Sequence, residues 1–380
     1  MPLPARPASI SDAERRDRLR RLRERMDADG FAAVLLGSSA SLRYFTGLAW
    51  HQSERLLGAL VTPTGLTYIV PAFERSRVET LPHLAGEIAT WEEEESPAGL
   101  IGALVGPKGR IALDDALPLF VYHALAATLG TERLADGTRP IRDLRLCKSP
   151  AEIALIRYAM ALTLEVHKRA HAILKPGIRA SEVVRYIDEQ HRALGALGGS
   201  TFCIVSFGIA TSLPHGADGD QILERGQPIL VDTGARIDGY NSDLTRSYTL
   251  DEPDAEFARI WHIERQAQQA VFEAAQIGVP CRDLDEAARH VLERHGLGPD
   301  YRLPGLPHRA GHGLGLELHE EPYIVRGNAV PLRPGMCFSN EPMIVVPGRF
   351  GIRLEDHIFM AEGGPEWFTE PARGPAKPFD

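Results

Sequence analysis

A repeat in the second half of the chain constrains the fold more than any other feature of the sequence. Residues 177–189 (GIRASEVVRYIDE) resemble residues 278–290 (GVPCRDLDEAARH) at an offset of 278 − 177 = 101. Each copy follows a predicted long helix, over about residues 150–174 and 254–276, opens a second helix and precedes strand-like segments. We therefore expect two related helix-helix-strand halves forming one pseudo-symmetric domain, with helices covering one face of a sheet.

The part of the chain before this repeat has the pattern of a separate α/β unit. Short apolar runs predict strands at Phe31–Leu36, Leu60–Val61, Thr67–Val70 and Ile111–Leu113. Ser149 can cap a helix and Pro150 can occupy its first turn, which indicates a boundary. A chain of 380 residues also exceeds the roughly 250–300 residues at which single cores stop growing. The predicted fold class is α/β (α+β), with domains at residues 1–148 and 149–380.

Composition excludes several classes of protein. Hydrophobic residues make up 44% of the chain and charged residues 24%, which is ordinary for a globular protein. The sequence has no run of ~18 apolar residues, so we expect no membrane span and no membrane partner. With 42 basic and 51 acidic residues the net charge is −9, which disfavours nucleic acid as a partner because phosphate binding needs a basic surface. The first residues lack the apolar core of a secretory signal, so a cytoplasmic location is expected.

Two local features have ordinary structural interpretations. The arginine-rich stretch at residues 15–25 carries leucines at helical spacing, which predicts an amphipathic helix with a solvated charged face; a binding patch is the alternative. The cysteines show neither a CxxC motif nor a disulfide-like spacing, so we expect reduced thiols. They are Cys147, Cys203, Cys281 and Cys337.

Two aspartates suggest a buried site. Asp232 follows the apolar run Ile229–Val231, where we place the end of a buried strand, and Asp243 lies 243 − 232 = 11 residues further on. A hairpin through Asp238 and Gly239 would bring the two carboxylates together. Adjacent carboxylates repel each other unless one is protonated or a metal neutralises them. Aspartates that merely cap the hairpin explain this segment equally well.

The second half of the domain supplies further ligand types. Glycines flank His312, which permits close approach of backbone and ligand, and Glu341 and Glu355 stand in apolar, strand-like surroundings. Four carboxylates and one imidazole form a plausible ligand set for two divalent ions, whose charge would balance the four acids. Taken singly, each residue has a structural explanation; Arg353, for example, would serve as a partner for Asp356.

The ordered motifs resemble those of the M24 metallopeptidases, which include prolidase, aminopeptidase P and methionine aminopeptidase. The motifs are Pro214-His215-Gly, Asp232, Asp243, Gly-His312-Gly, His319-Glu-Glu-Pro, Asn-Glu341-Pro and Arg353-Leu-Glu355-Asp. They span about residues 150–365. The resemblance implies the pita-bread catalytic fold, whose two αβ halves agree with the repeat, and an N-terminal creatinase-like domain.

The resemblance also implies a dinuclear metal site and a hydrolytic reaction. The implied metal ligands are Asp232, Asp243, His312, Glu341 and Glu355, with Asp243 and Glu355 bridging two ions of Mn, Co or Zn. His215 and His319 would contact substrate or stabilise the tetrahedral intermediate, and Glu341 would help to activate the nucleophile. Thr245, Tyr240 and Arg246 are candidates for orienting the ligands. Creatinase shares the two-domain plan but lacks the metal ligands, all five of which are intact here.

The N-terminal domain favours the branch of the family that cleaves Xaa-Pro bonds, in which the substrate is a small peptide with proline after the scissile bond. Xaa-Pro dipeptidase (prolidase) is the preferred activity. Tyr323 stands where some prolidases have arginine after His-Glu-x-Pro, so Arg326 or Arg353 is the candidate for recognising the substrate's carboxylate. The alternatives are aminopeptidase P and, on the same fold, a non-peptide amidohydrolase or a binding protein.

The family resemblance further implies a homodimer. In such dimers a loop of the N-terminal domain can approach the neighbouring subunit's active site. Trp50 and His51 lie in the comparable region, although ordinary packing is the preferred interpretation for these two side chains.

Overall fold

The computed structural model describes residues 3–214 and 216–379. The chain divides into two compact units, Ile10–Arg145 on the one hand and Leu146–Asp380 with Met1–Ser9 on the other. The predicted boundary after residue 148 lies close to this division, but the first nine residues count with the second unit.

The first unit is built on a six-stranded mixed sheet. Its strands are β1 (Phe31–Leu36), β2 (Gly58–Val61), β3 (Leu66–Pro71), β4 (Glu87–Trp91), β5 (Arg110–Leu113) and β6 (Leu134–Asp136). Its helices are α1 (Asp12–Asp29), α2 (Ala40–Thr46), α3 (Arg75–Thr80), α4 (Pro97–Val105), α5 (Leu119–Leu129) and α6 (Thr138–Leu146). The strand order is β4-β3-β2-β1-β5-β6, with β1 antiparallel to β2 and parallel to β5. The predicted α/β character and the four predicted strands are confirmed.

The arginine-rich stretch forms α1, but one of its arginines is not solvated. The buried residues of this helix are Arg18, Leu19, Leu22 and Met26. The Arg18 guanidinium lies 4.0 Å from the ring centroid of Tyr44, and its Nη1 donates to the Tyr44 carbonyl at 2.9 Å. A long arginine stem can cover apolar surface while its head finds acceptors, so the expectation of a solvated face is wrong for Arg18. It holds for Arg16 and Arg20, which are exposed.

The second unit contains the predicted pair of halves. The first half comprises α7 (Pro150–Ile173), α8 (Ala180–Ala193), β7 (Ser200–Phe207), β8 (Ile229–Ile237), β9 (Tyr240–Asn241) and β10 (Leu244–Tyr248). The second half opens with α9 (Ala255–Ala274) and α10 (Cys281–Arg294). Its strands are β11 (Gly311–Gly313), β12 (Glu320–Ile324), β13 (Cys337–Asn340), β14 (Met343–Val346), β15 (Phe350–Arg353), β16 (Asp356–Ala361) and β17 (Gly364–Trp367). The helices α8 and α10 each have 14 residues and begin 281 − 180 = 101 residues apart, which confirms the offset read from the sequence.

The N-terminus of α7 follows from its sequence. The Ser149 side chain accepts from the backbone of Glu152, whose carboxylate accepts from the Ser149 N–H in return, and Pro150 begins the helix. This reciprocal cap satisfies donors that the first turn of a helix leaves unpaired. The predicted helix start is therefore confirmed.

A backbone hydrogen bond beside the cluster of acidic residues links the two halves. Strands β10, β8 and β7 form one sheet, and β12, β11, β13, β16 and β17 form the other. The Glu355 N–H donates to the Thr245 carbonyl at 3.1 Å, which joins β10 to the segment before β16.

The four cysteines are free thiols, as expected. Within the described residues, no helix has both the length and the apolar content needed to cross a bilayer.

Candidate metal centre

The hairpin of β8 and β10 supplies the first two carboxylates. Asp232 lies in the middle of β8, so the prediction that the strand ends there is wrong. The strand continues because Gly234 leaves room for the returning chain: a Cβ at this position would lie 1.9 Å from the Ser242 carbonyl oxygen. Thr245 is opposite Asp232 in the ladder, and Asp243 directly precedes β10. The hairpin itself is confirmed.

The glycines around His312 are required by the neighbouring strands. A Cβ at Gly311 would lie 2.0 Å from the Ser339 carbonyl oxygen, and a Cβ at Gly313 would lie 2.3 Å from that of Glu321. Strand β11 therefore runs between β12 and β13 at a separation that larger residues do not allow. His312 is buried in this strand, and its backbone N–H donates to the Ser339 hydroxyl at 2.8 Å.

Glu341 and Asp243 approach the His312 imidazole. The Nε2 atom of His312 lies 3.1 Å from Oε1 of Glu341 and 3.7 Å from Oδ2 of Asp243. The Ser339 hydroxyl, which accepts from the His312 backbone, donates to Oε1 of Glu341 at 3.0 Å. One serine on β13 therefore fixes both His312 and Glu341, and no sequence motif singled it out.

Arg353 and Thr245 hold the remaining two carboxylates. The Thr245 hydroxyl donates to Oε2 of Glu355 at 2.7 Å and accepts from Nε of Arg353 at 3.1 Å. Nη2 of Arg353 donates to Oδ2 of Asp232. The positive charge of Arg353 therefore offsets the desolvation free energy of the Asp232 carboxylate, which lies in the middle of a buried strand.

Of the three residues expected to orient the ligands, Thr245 and Arg246 contact Glu355, whereas Tyr240 contacts Glu152. Thr245 contacts a candidate ligand directly, and Nη1 of Arg246 donates to the Glu355 carbonyl at 2.8 Å. The Tyr240 hydroxyl instead donates to Glu152 at 3.0 Å. Arg246 also pairs with Asp356 at 2.7 Å. The structural alternative in which Arg353 is the partner of Asp356 is therefore wrong.

The predicted residues form overlapping groups suited to cations. Three groups have ligand atoms within 4.8 Å of one another: Asp243, His312 and His319; Asp243, Glu355 and His357; His312, Glu341 and Glu355. These groups do not include Asp232, whose Oδ2 is engaged by Arg353. Four of the five predicted ligands are thus brought together, and Asp232 is linked to them through Arg353 and Thr245.

Orphaned oxygens at the centre show that the residues fit divalent ions. Oδ1 of Asp232, Oδ1 of Asp243 and Oε1 of Glu355 are buried and have no hydrogen-bond partner among the described residues. A buried polar atom without a partner carries a desolvation cost. Hard and borderline divalent cations accept carboxylate and imidazole ligands of this kind, and binding them would satisfy all three oxygens.

The electrostatics of the metal-free cluster support the same conclusion. Burial raises the pKa of Asp243 well above its usual value, and the neighbouring Glu355 and Asp232 raise it further. Burial and the negative charge of Glu341 likewise raise the pKa of Glu355 well above its usual value. Burial would also raise the pKa of Glu341, but the charge and hydrogen bond of His312 outweigh it and hold that pKa well below its usual range. Without bound metal ions, Asp243 and Glu355 are therefore driven to hold protons in this pocket.

The two predicted substrate histidines have different outcomes. His319 is exposed, and its ring centroid lies 4.2 Å from that of His312 at an interplanar angle of 83°. It therefore stands at the accessible side of the cluster. His215 lies outside the described residues.

His357 is a member of the cluster that the sequence prediction missed. It is fully buried and shares a group with Asp243 and Glu355. Side chains two residues apart on a strand lie on the same face, so its position two residues after Glu355 was the available signal.

The arginines proposed for the substrate carboxylate are engaged elsewhere. Arg326 pairs with Asp300 and, at 3.3 Å, with Glu286, and Arg353 pairs with Asp232. Another arginine lies beside Tyr323, the residue that stands where some prolidases have arginine. The Arg309 guanidinium is 4.5 Å from the ring centroid of Tyr323.

Comparison with known proteins identifies the families to which the two parts of the chain are similar. Residues 154–362 match the model of metallopeptidase family M24, and residues 18–147 match the creatinase/prolidase N-terminal domain. A probable dipeptidase PepE from Mycobacterium bovis is 36% identical over 345 residues, covering 88% of this chain and 89% of that protein.

Solved structures show the same two-domain fold. Dipeptidase PepE from Mycobacterium ulcerans aligns with a TM-score of 0.88 at 32% identity, covering 96% of this chain and 97% of that one. A recombinant prolidase from Thermococcus sibiricus aligns with a TM-score of 0.86 at 26% identity, covering 96% and 99%. The chain belongs to metallopeptidase family M24 and carries the family's creatinase/prolidase N-terminal domain.

Proposed function

We propose that this enzyme is an Xaa-Pro dipeptidase that uses two divalent metal ions, Mn, Co or Zn, to hydrolyse the peptide bond before proline. The observation that carries the proposal is the buried carboxylate cluster with three orphaned oxygens. The proposed metal ligands are Asp232, Asp243, His312, Glu341 and Glu355. The names of the relatives, a dipeptidase and a prolidase, support this substrate class.

The residues around the cluster have distinct proposed roles. Bound divalent ions supply Lewis acidity, which polarises the scissile carbonyl and lowers the pKa of water. Oε1 of Glu341, which accepts from the Ser339 hydroxyl, takes the proton of the attacking water and delivers it to the leaving nitrogen. The imidazole of His319 donates a hydrogen bond to the developing oxyanion. From its motif alone, we assign to His215 the role of contacting substrate or stabilising the tetrahedral intermediate.

Recognition of a dipeptide requires a cation for its free carboxylate. Arg326 and Arg353 both have acidic partners, whereas Arg309 stacks on Tyr323 without an ion pair in the described part of the chain. We propose that Arg309 binds the substrate carboxylate. Arg309→Met should raise KM for dipeptides at least tenfold and leave KM for peptides with an amidated C-terminus unchanged. Arg326→Met is the matched control.

Aminopeptidase P activity is the second candidate, because Tyr323 replaces the arginine that some prolidases carry. Steady-state rates on Xaa-Pro dipeptides and Xaa-Pro-Xaa tripeptides, measured with metal-replete protein, separate the two. A higher kcat/KM for the dipeptide supports the dipeptidase, and a higher value for the tripeptide refutes it. Metal-dependent hydrolysis that is indifferent to proline would indicate a non-peptide amidohydrolase.

Two experiments test metal dependence: removal of the metal with a chelator, and replacement of one proposed metal ligand, Asp243. Treatment with chelator should abolish hydrolysis, and Mn²⁺, Co²⁺ or Zn²⁺ should restore it. Asp243→Ala should remove activity while leaving a folded protein of unchanged oligomeric state, for which we propose a homodimer. Full turnover by protein that contains no metal would exclude the mechanism, and turnover by the Asp243 variant would remove that residue from the site. A binding protein on this fold would hydrolyse none of the peptides.

A further inference from the structure

The segment that carries His319 has little regular structure of its own. Residues 314–319 connect β11 to β12 and belong to neither helix nor strand. His319 is the last residue of this segment, and its ring packs edge-on against His312. Contacts outside the strand ladders must therefore fix the position of the imidazole.

The Glu320 carboxylate provides one such contact on each of its oxygens. Its Oε2 accepts from the backbone N–H of Glu317 at 3.2 Å, which closes the turn before His319. Its Oε1 accepts from the Lys148 ammonium at 2.5 Å. The lysine and glutamate side chains are only 1% and 6% exposed, so water does not compete for this pair.

Lys148 is itself fixed by the chain around it. Its backbone N–H donates to the Gly335 carbonyl at 2.7 Å, just before β13. Burial alone would lower the pKa of the ammonium, but the adjacent Glu320 carboxylate outweighs it and raises that pKa. Lys148 therefore remains charged in its buried position.

The segment packs directly onto the lysine-glutamate pair. A Cβ at Gly315 would lie 2.6 Å from Oε1 of Glu320 and 3.1 Å from Cε of Lys148. On its other side the Gly315 carbonyl accepts from the backbone and side-chain N–H groups of Asn241, each at 2.9 Å. The segment is thus held between the pair and β9.

We propose that Lys148 is a positioning residue for His319. Its ammonium fixes the Glu320 carboxylate, which closes the turn and places the imidazole beside His312. This inference rests on the oxyanion role proposed above for His319. The two partners lie 172 residues apart in the sequence, and the pair ties residues 314–319 to the start of the second unit.

Lys148→Met tests the proposal in the full-length, metal-loaded enzyme. This variant should keep its metal content and lower kcat on the best Xaa-Pro substrate by at least tenfold, with KM changed less than threefold. Displacements of about 1 Å at a reacting centre can cost on the order of a hundredfold in rate. Lys175→Met, at an exposed lysine of the same unit, should match the wild type.

A double-mutant cycle separates positioning from general damage. If Lys148 acts through His319, Lys148→Met should change kcat less than twofold in a His319→Ala background, because the group being positioned is gone. An equal loss of kcat in both backgrounds would overturn the proposal, as would a Lys148→Met enzyme with wild-type kcat.

Hydrogen exchange supplies a readout that does not depend on activity. Lys148→Met should increase the rate of amide exchange in residues 314–319 at least tenfold and leave the exchange of β13 unchanged. Unchanged exchange in residues 314–319 would refute the proposal that Lys148 fixes this segment. If the variant does not accumulate as folded protein, Gly315→Ala perturbs the same contact and should give the same pattern. A wild type that hydrolyses no peptide would refute the proposed function, and the exchange measurement would still decide the inference.

Discussion

Arg353 offers a test of whether a residue next to the cluster serves the metals or the substrate. Sequence motifs place it with the substrate, but three different nitrogens of its guanidinium contact Asp232, Thr245 and the Pro214 carbonyl. Its side chain is only 5% exposed. We therefore expect Arg353 to orient metal-ligating carboxylates.

The choice of substitution determines what can be measured. Arg353→Met removes a cation beside the site, and at an effective dielectric of about 20 the lost repulsion toward a divalent ion several ångströms away amounts to a few kcal/mol. That gain would offset the lost orientation. Arg353→Lys keeps the charge, but one ammonium cannot reach Asp232, Thr245 and Pro214 together. The lysine variant therefore isolates the orienting role.

The expected result for Arg353→Lys is weaker metal binding. Loss of partners that orient metal ligands typically costs about 10–100-fold in metal affinity or activity. Titrating metal into chelator-stripped protein against a fluorescent competitor measures this affinity, with Arg326→Lys as the control at a more exposed arginine. Wild-type metal affinity together with a raised KM would refute the reasoning and return Arg353 to the substrate site.

Three further predictions concern the fold around the cluster. Burial and mutual repulsion raise the pKa values of Asp243 and Glu355 in the metal-free chain, so each carboxyl holds a proton that it releases on unfolding above pH 4. The stability of chelator-treated protein should therefore fall as pH rises, by up to about 1.4 kcal/mol per pH unit for each proton, and urea unfolding from pH 5 to 8 should show a weaker trend once metal is bound. Gly311→Ala should destabilise the protein by about 1–3 kcal/mol, because its Cβ would meet the Ser339 carbonyl oxygen; a wild-type melting temperature would contradict this. Arg246→Met removes the ion-pair partner of the fully buried Asp356 carboxylate, which among the described residues keeps only its hydrogen bonds from Thr369 and Gln268. Urea unfolding should therefore show a loss of about 3–5 kcal/mol, and a loss below about 1 kcal/mol would contradict this.

Much of the architecture was predictable because its signals are local. The cap at Ser149 and Pro150 and the offset of 101 between α8 and α10 are patterns within short segments. The error at Asp232 has a physical cause. A buried carboxylate is costly, so a strand was expected to end there, but a cation far away in the sequence compensates the charge.

The missed features of the site share this origin. Arg353 and Asp232 are separated by 121 residues, and Lys148 and Glu320 by 172. The proposed ligands can be read from the sequence because their residue types match the chemistry of a metal. The groups that hold those ligands have no such chemical signature, since lysine, arginine and serine are common everywhere on a chain. Motifs therefore identify where the chemistry of this enzyme occurs, whereas substitutions of Arg353 and Lys148 reveal how its geometry is kept.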